Sequence, residues 1–296
     1  MDFTLKPIDQ QVVVITGASS GIGLATAEAA AMHGASLVLV ARSEQTLSEL
    51  VQRMQRSGIS AIAVPADVGD RAQLQHAADR AIERFGRIDT WINDAGVSIY
   101  GRLDEVSEAD SRRLFDTNFW GVVNGSLIAL PHLRRQGGAL INVGSETSET
   151  IIPFQGMYSA SKHAVKGFTD ALRVEIEELD QALVSITLIQ PTGVDTPFPQ
   201  HARNYMDHEP KLPPPLIDPF DVAEAILKAA TQGGRDVKVG VMAYVNTAVA
   251  RLIPGLGDRM SARRGENQQE DVVPHNPAGT LHEPSNTGFI HGHRPM

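Results

Sequence analysis

Val12-Val13-Val14-Ile15-Thr16-Gly17-Ala18-Ser19-Ser20-Gly21-Ile22-Gly23 decides the fold of this chain. An apolar β-branched run ends in a turn with glycines at 17, 21 and 23, and a segment of helical length, Gly21–His33, follows. In a strand–turn–helix of this kind the glycines let the backbone approach a pyrophosphate closely, and the free amides of the helix N-terminus point at its charge. The spacing Gly-x-x-x-Gly-x-Gly differs from the commoner Gly-x-Gly-x-x-Gly. The flanking strand and helix therefore carry the reading more than the glycines do. Gly17, Ser19, Ser20, Gly21, Ile22 and Gly23 become candidate dinucleotide-binding residues.

Outward from this unit, short β-rich runs alternate with helical patterns. The runs are Val12–Thr16, Ser36–Val40, Ala61–Val64, Ile88–Asn93, Ala139–Val143, Val184–Ile189 and Val237–Val239. Between them lie helical stretches such as Glu44–Arg56, Arg71–Phe85 and Met157–Leu179. That alternation predicts an α/β fold, a Rossmann-type doubly wound parallel sheet covered on both faces. The expected organisation is an N-terminal extension over 1–10, one domain over 11–264, and a Pro/Gly/His-rich tail over 265–296. The tail lacks apolar periodicity and reads as disordered or as an arm wrapping a neighbouring subunit. Its His291 and His293 have no further ligand nearby in sequence, so no metal site is expected. The proline-rich stretch Phe198–Asp218 is too long for an ordinary connection and reads as a lid or substrate loop with few regular backbone bonds.

Composition narrows the function. With 296 residues, 42% of them hydrophobic, the chain can bury a substantial core. A formal charge of -9 leaves no basic excess for nucleic acid. The absence of cysteine excludes disulfides and thiolate chemistry. Neither a signal peptide nor a spanning segment is recognisable, so a cytoplasmic protein is expected. The apolar stretch Ala243–Leu256 reads as a packing helix or subunit contact rather than a bilayer anchor.

The end of the second strand bears on the choice of dinucleotide. A carboxylate there would bind the adenosine ribose and repel a 2′-phosphate, whereas Ala41-Arg42-Ser43 offers a guanidinium and a hydroxyl. NADP(H) is expected over NAD, with Arg42 as the phosphate anchor. Further along, Tyr158 and Lys162 stand four apart, so on a helix their Cβ atoms lie about 5–6 Å apart on one face. A phenol titrates near about 10 and needs a nearby cation before it exchanges a proton at neutral pH, which Lys162 can supply. Ser145, thirteen residues upstream of Tyr158, offers a hydroxyl at the substrate oxygen.

These motifs together resemble the short-chain dehydrogenase/reductase family over about residues 11 to 250. In register are Thr16–Gly23, Asp67-Val68, Asn93-Asp94-Ala95-Gly96, Asn118, Ser145, Tyr158 with Lys162, and Pro191 to Thr196. The resemblance implies a carbonyl or alcohol oxidoreductase with Asn118, Ser145, Tyr158 and Lys162 as its catalytic residues. Asn118 would position a water linking Lys162 to solvent. Asp67, Val68, Asn93, Ala95, Gly96, Pro191, Val194 and Thr196 would join Arg42 and the glycine-rich turn around the cofactor, with Tyr158 and Lys162 also touching it. Asp94 stands where the family frequently has Asn, and Thr192 where Gly usually follows Pro191. Residues Ile99, Tyr100, Ile151, Ile152, Phe154 and Phe198 suggest an apolar small-molecule substrate, although Glu146, Glu149 and His201 leave a polar one open. A dinucleotide-binding regulator and a membrane-associated enzyme are the competing readings. On the helix carrying Tyr158, a second apolar stripe of Ala160, Ala164, Phe168, Ala171 and Leu179 predicts a homodimer or homotetramer. The stripe His163, Lys166, Asp170, Arg173 and Glu177 should meet water.

Overall fold

The computed structural model describes residues 4–284 and 288–292. The glycine-rich turn joins strand β1 (Val12–Thr16) to helix α1 (Gly21–Met32). There follow β2 (Ser36–Ala41), α2 (Glu44–Arg56), β3 (Ala61–Pro65), α3 (Arg71–Phe85) and β4 (Thr90–Asn93). A two-residue strand β5 (Ile99–Tyr100) precedes α4 (Glu108–Phe115), a π-helical turn (Asp116–Trp120) and α5 (Gly121–Gln136). The second half runs β6 (Gly138–Val143), α6 (Gly156–Arg173), β7 (Val184–Pro191), α7 (Phe198–His201) and β8 (Arg203–Asn204). Helix α8 (Pro219–Gln232), β9 (Asp236–Val239), α9 (Val241–Leu252) and α10 (Pro254–Glu266) close the regular part.

Among the described residues seven strands form one parallel sheet in the order β3-β2-β1-β4-β6-β7-β9. All seven runs expected from sequence are there, with no end shifted by more than two residues. Both faces of the sheet are covered, and alternation along β1 explains how. Val13 and Ile15 pack with Leu47, Leu50 and Val222 on the face of α1, α2 and α8, while Val12 and Val14 pack with Leu74, Ile128 and Leu172 on the other. The chain leaves β1 toward β2 and β3, then returns to β4 on β1's other side. That reversal opens a crevice beyond the carboxyl ends of β1 and β4, where α/β sheets bind ligands.

Local chemistry fixes the element ends. Ser43 caps α2 through Thr46 N, and the Asp70 carboxylate accepts from Ala72 N at 2.8 Å to start α3. Gly86 ends α3 in the left-handed conformation at φ 75°. No side chain caps α1, whose N-cap Ser20 opens on the crevice.

The stretch 198–218 carries more regular bonding than expected. Its strand β8 pairs in parallel with β5. Glu209 N and Lys211 N donate to Val272 O and Gln268 O at 2.9 Å each. Past the short α7, the prolines at 210 and 213–215 allow no further helix before α8, but the segment keeps enough donors for this stitching. Residues 267–284 and 288–292, expected as a tail or an inter-subunit arm, run in the structure across their own chain. Arg173 also departs from its assigned stripe. It is buried, and its Nε donates to Ile186 O at 2.8 Å because the helix face it occupies turns onto β7.

Candidate active site

The crevice is lined by the turn Gly17 to Ile22, the ends of β2 and β3, and the segment Asp94 to Ser98. Gly17 needs its glycine for two reasons. Its φ is 74°, and a Cβ there would lie 2.8 Å from Ala95 Cα. A Cβ on Gly23 would fall 2.3 Å from Gly17 O, so the first turn of α1 can sit against the loop only with glycine. This close approach, with a start of α1 that no side chain caps facing the crevice, fits a pyrophosphate.

Most expected cofactor contacts reach the crevice: Ser19, Ser20, Gly21, Ile22, Arg42, Asp67, Val68, Ala95, Gly96, Pro191, Val194 and Thr196. Asn93 does not. It is buried behind β4, where its Nδ2 donates to Asn142 Oδ1 at 2.8 Å and its Oδ1 accepts from Trp91 Nε1 at 2.8 Å. The amide knits β4 to β6, which a motif match cannot distinguish from a ligand contact. Ser43 lines the crevice, but its hydroxyl is spent on Thr46 as the α2 cap. Asp67 pairs with Arg113 Nη2 at 2.5 Å and accepts from Gly69 N at 2.9 Å. The Arg42 guanidinium donates to the carbonyl oxygens of Thr280, Leu281 and His282. Burial lowers its pKa, and the neighbouring Arg113 charge lowers it further.

At the deep end, Tyr158 and Lys162 project from one face of α6, with Lys162 Nζ 5.7 Å from the centre of the Tyr158 ring. Both are largely buried. Burial pushes the phenol pKa up, while a hydrogen bond from the Ser145 side chain pulls it down. Lys162 donates to Val143 O at 2.8 Å. Burial depresses its pKa to about 8, partly offset by the Asp94 carboxylate, whose own value burial lifts to about 7. Asn118 lies in the π-helical turn, fully buried. Its side chain accepts from Val97 N at 2.8 Å and donates to Val97 O at 2.9 Å and Ser161 Oγ at 3.1 Å. Those bonds tie the loop after β4 to α6, one residue from Lys162.

Of the residues expected to wall a substrate space, Ile152, Phe198, His201 and Glu146 line the cavity. The Phe198 ring meets that of Tyr158 edge-on at 5.4 Å. Ile99 and Tyr100 are buried in strand β5, Ile151 faces outward, and Phe154 is not among the lining residues. Glu149 bonds Gln190 and Lys238 instead. His201 is pushed down to about 4 by burial and by Arg42, so it is neutral at pH 7.

The surroundings of Glu146 escape a sequence reading. It is buried and bonded to Thr192 Oγ1 at 3.2 Å, Asn246 Nδ2 at 2.6 Å and Arg264 Nη1 at 3.3 Å. Two of these partners come from α9 and α10, too far along the chain for any local signal. The same contact gives Thr192 a role where the family usually has glycine. Gln155, Met242 and Thr280 also line the cavity without a motif to mark them. Among the described residues no His, Asp and Glu cluster could hold a metal, and His293 lies outside them.

The short chain dehydrogenase family profile matches residues 11–207. The chain belongs to the short-chain dehydrogenase family. It is an oxidoreductase of that family, similar at 44% identity over 276 residues to the uncharacterized oxidoreductase YxnA of Bacillus subtilis, covering 92% of this chain and 77% of YxnA. The 11-beta-hydroxysteroid dehydrogenase A of Sesamum indicum is 34% identical, over 77% of this chain and 67% of the relative. Among solved structures, a short chain dehydrogenase/reductase from Burkholderia phymatum in complex with NAD superposes with a TM-score of 0.77 at 27% identity. The match covers 92% of this chain and 99% of the other. An alcohol dehydrogenase from Thermococcus sibiricus complexed with 5-hydroxy-NADP gives a TM-score of 0.68 at 28% identity, over 77% and 95%. Both dinucleotide types thus occur among this short-chain dehydrogenase's neighbours. No helix in the described residues is long and apolar enough to cross a membrane.

Proposed function

We propose that this enzyme interconverts a carbonyl and a secondary alcohol using NADP(H), with Tyr158 giving and taking the proton at the substrate oxygen. The observation that carries this reading is the Ser145–Tyr158–Lys162 group itself: a buried phenol bonded to a serine hydroxyl with an ammonium over its ring. A nicotinamide bound in the crevice supplies or accepts the hydride.

The chain's own residues do the rest. Burial alone would leave Tyr158 too weak an acid to exchange at neutral pH. Lys162 is anchored through Val143 O, and its positive charge favours the phenolate. Ser145 holds the substrate oxygen beside the phenol. Asn118 acts as a positioning residue: its side chain is saturated by Val97 and Ser161, so it fixes the backbone beside Lys162 rather than touching the reacting atoms.

The choice of NADP(H) rests on the end of β2. Ala41 brings no carboxylate there, and after burial it is the nearby Arg113 guanidinium that disfavours the charge of Arg42. A dianionic 2′-phosphate would relieve that repulsion. An apolar substrate suits the lining of Val97, Ile152, Phe198, Leu212 and Met242. It also suits the name of the sesame relative, which points to a hydroxysteroid. Exposed Trp120 just before α5, Leu127 on α5 and Val174 just after α6 support assembly into a homodimer or homotetramer.

The test is Tyr158→Phe, read by single-turnover oxidation of NADPH against aldehydes, ketones and steroids, with NADPH binding followed by fluorescence. Turnover should fall by about 10²–10⁴-fold with binding retained. A chemical step within about tenfold of wild type would remove Tyr158 from this role.

A further inference from the structure

The last described residues lie over the mouth of the crevice, and they occupy polar groups at both ends of its adenosine half. At one end Pro277 O accepts from Asn204 N at 2.8 Å, and Thr280 N donates to His201 O at 2.7 Å. Gly279 sits at φ 57° so close to Ala202 O that a Cβ would fall 2.3 Å from it. Leu281 is fully buried beside Val97, Ile99, Leu114 and Tyr158. Its carbonyl oxygen accepts from both Arg42 Nη1 at 3.2 Å and Arg113 Nε at 3.1 Å. Beyond it, His282 Nε2 meets Asp110 Oδ1 at 2.7 Å. At the other end Phe289 O accepts from Gly21 N at 2.9 Å, at the very start of α1. Ile290 packs on the core between the sheet and α1, and His291 Nε2 meets Asp218 Oδ2 at 3.2 Å. Thr280 and Pro284 line the crevice itself.

Leu281 and Phe289 therefore bracket the opening, one on the guanidiniums beyond β2 and β3, the other on the helix N-terminus. We propose that residues 276–284 and 288–292 form a strap that roofs the dinucleotide, and that the cofactor is exchanged only when this strap lifts. The inference rests on the dinucleotide reading above. Space remains beneath the strap, because the turn Gly17 to Ile22, Arg42, Asp67 and Val68 all still border the cavity along with Thr280 and Pro284. The strap thus leaves room in the site while holding two of its cofactor-facing donors, Gly21 N and the Arg42 guanidinium, which it must release as the dinucleotide enters. Among its described residues no helix or strand forms, so its attachment consists of separate hydrogen bonds and a few buried side chains. Such ties can open locally while the sheet stays folded.

The absence of cysteine makes the strap directly testable in the full chain. A Cβ built on Gly288 sits 3.5 Å from Thr46 Cγ2 on α2. Thr46 Cβ is one bond behind that atom and beyond 4 Å, at the outer edge of the roughly 3.5–4.5 Å that a cystine link spans between Cβ atoms. The double variant Thr46→Cys with Gly288→Cys should therefore form a disulfide under mild oxidant, checked by thiol titration. Stopped-flow fluorescence then follows NADPH association and displacement. With the link closed, both rates should fall at least tenfold, and reductant should restore them. Termination after His275 should raise both rates by a similar factor. Failure of the link to form, or exchange indifferent to a verified link, overturns the strap. If the reduced variant and wild type bind no nicotinamide dinucleotide at all, the functional reading fails and the strap fails with it.

Discussion

Asp94 and Lys162 carry opposite charges beside a buried phenol, and that makes the position after Asn93 chemically consequential. The Asp94 carboxylate raises the Tyr158 pKa through its charge, in addition to the larger effect of burial. In the oxidation direction Tyr158 must be deprotonated to accept a proton, so the rate rises as pH climbs through the phenol's pKa. Asp94→Asn removes a negative charge that opposes the phenolate, and the rise of kcat/KM should move to lower pH. A profile that stays put or moves up would dissociate Asp94 from the proton path. Arg42 sets the second expectation at this scale. The wild type should prefer NADPH over NADH, and Arg42→Asp should erase or reverse that preference. A charge-assisted hydrogen bond contributes about 1.5–3 kcal/mol, roughly a tenfold to hundredfold change in the ratio of kcat/KM values. Equal efficiency of the two cofactors in the wild type would assign Arg42 to the strap alone.

At the scale of elements, the segment 203–211 is joined at several points to β5 and to the irregular chain before the strap. Arg203 N donates to Ser98 O at 3.0 Å, Tyr205 N to Tyr100 O at 2.7 Å, and Lys211 N to Gln268 O at 2.9 Å. Amide exchange at Arg203, Tyr205, Glu209 and Lys211 should consequently be slowed well below the random-coil rate without any ligand. Free exchange there would restore the mobile lid that five prolines suggest. The sheet was legible because buried parallel strands read as continuous apolar runs, and Val12–Thr16 shows this over its whole length. The juxtaposition of Tyr158 and Lys162 was legible because they share one helix, where spacing alone puts them on one face. The π-helical turn holding Asn118 was not, since Asp116–Trp120 has nothing in its composition to mark it off from the flanking helices. Nor was the burial of Glu146, whose partners Asn246 and Arg264 lie on helices far along the chain. The strap escaped for a third reason. Proline, glycine and histidine without period describe a chain that forms no regular element, and such a chain can still be fixed by carbonyl oxygens that meet Arg42 and Gly21.

Across the whole molecule, apolar surface is left uncovered on the outward side of α5 and α6. Trp120 is 51% exposed, Leu127 41% and Val174 46%, and Ala160, Gly167 and Ala171 beside them are also open. Small residues let two such helices approach closely, and the aromatic and aliphatic neighbours supply area to bury. Ala171→Arg should therefore convert the assembly to monomers with the fold intact, as followed by light scattering and circular dichroism. A wild type that is monomeric at micromolar concentration would refute the assembly.

The location of Gly292 has a practical consequence for spectroscopy. A Cβ built on that residue would lie 3.1 Å from Thr196 O, at the rim of the crevice. In a sequence without cysteine, Gly292→Cys would carry a single reporter dye at that rim. Its emission would follow events at the opening without a second label elsewhere.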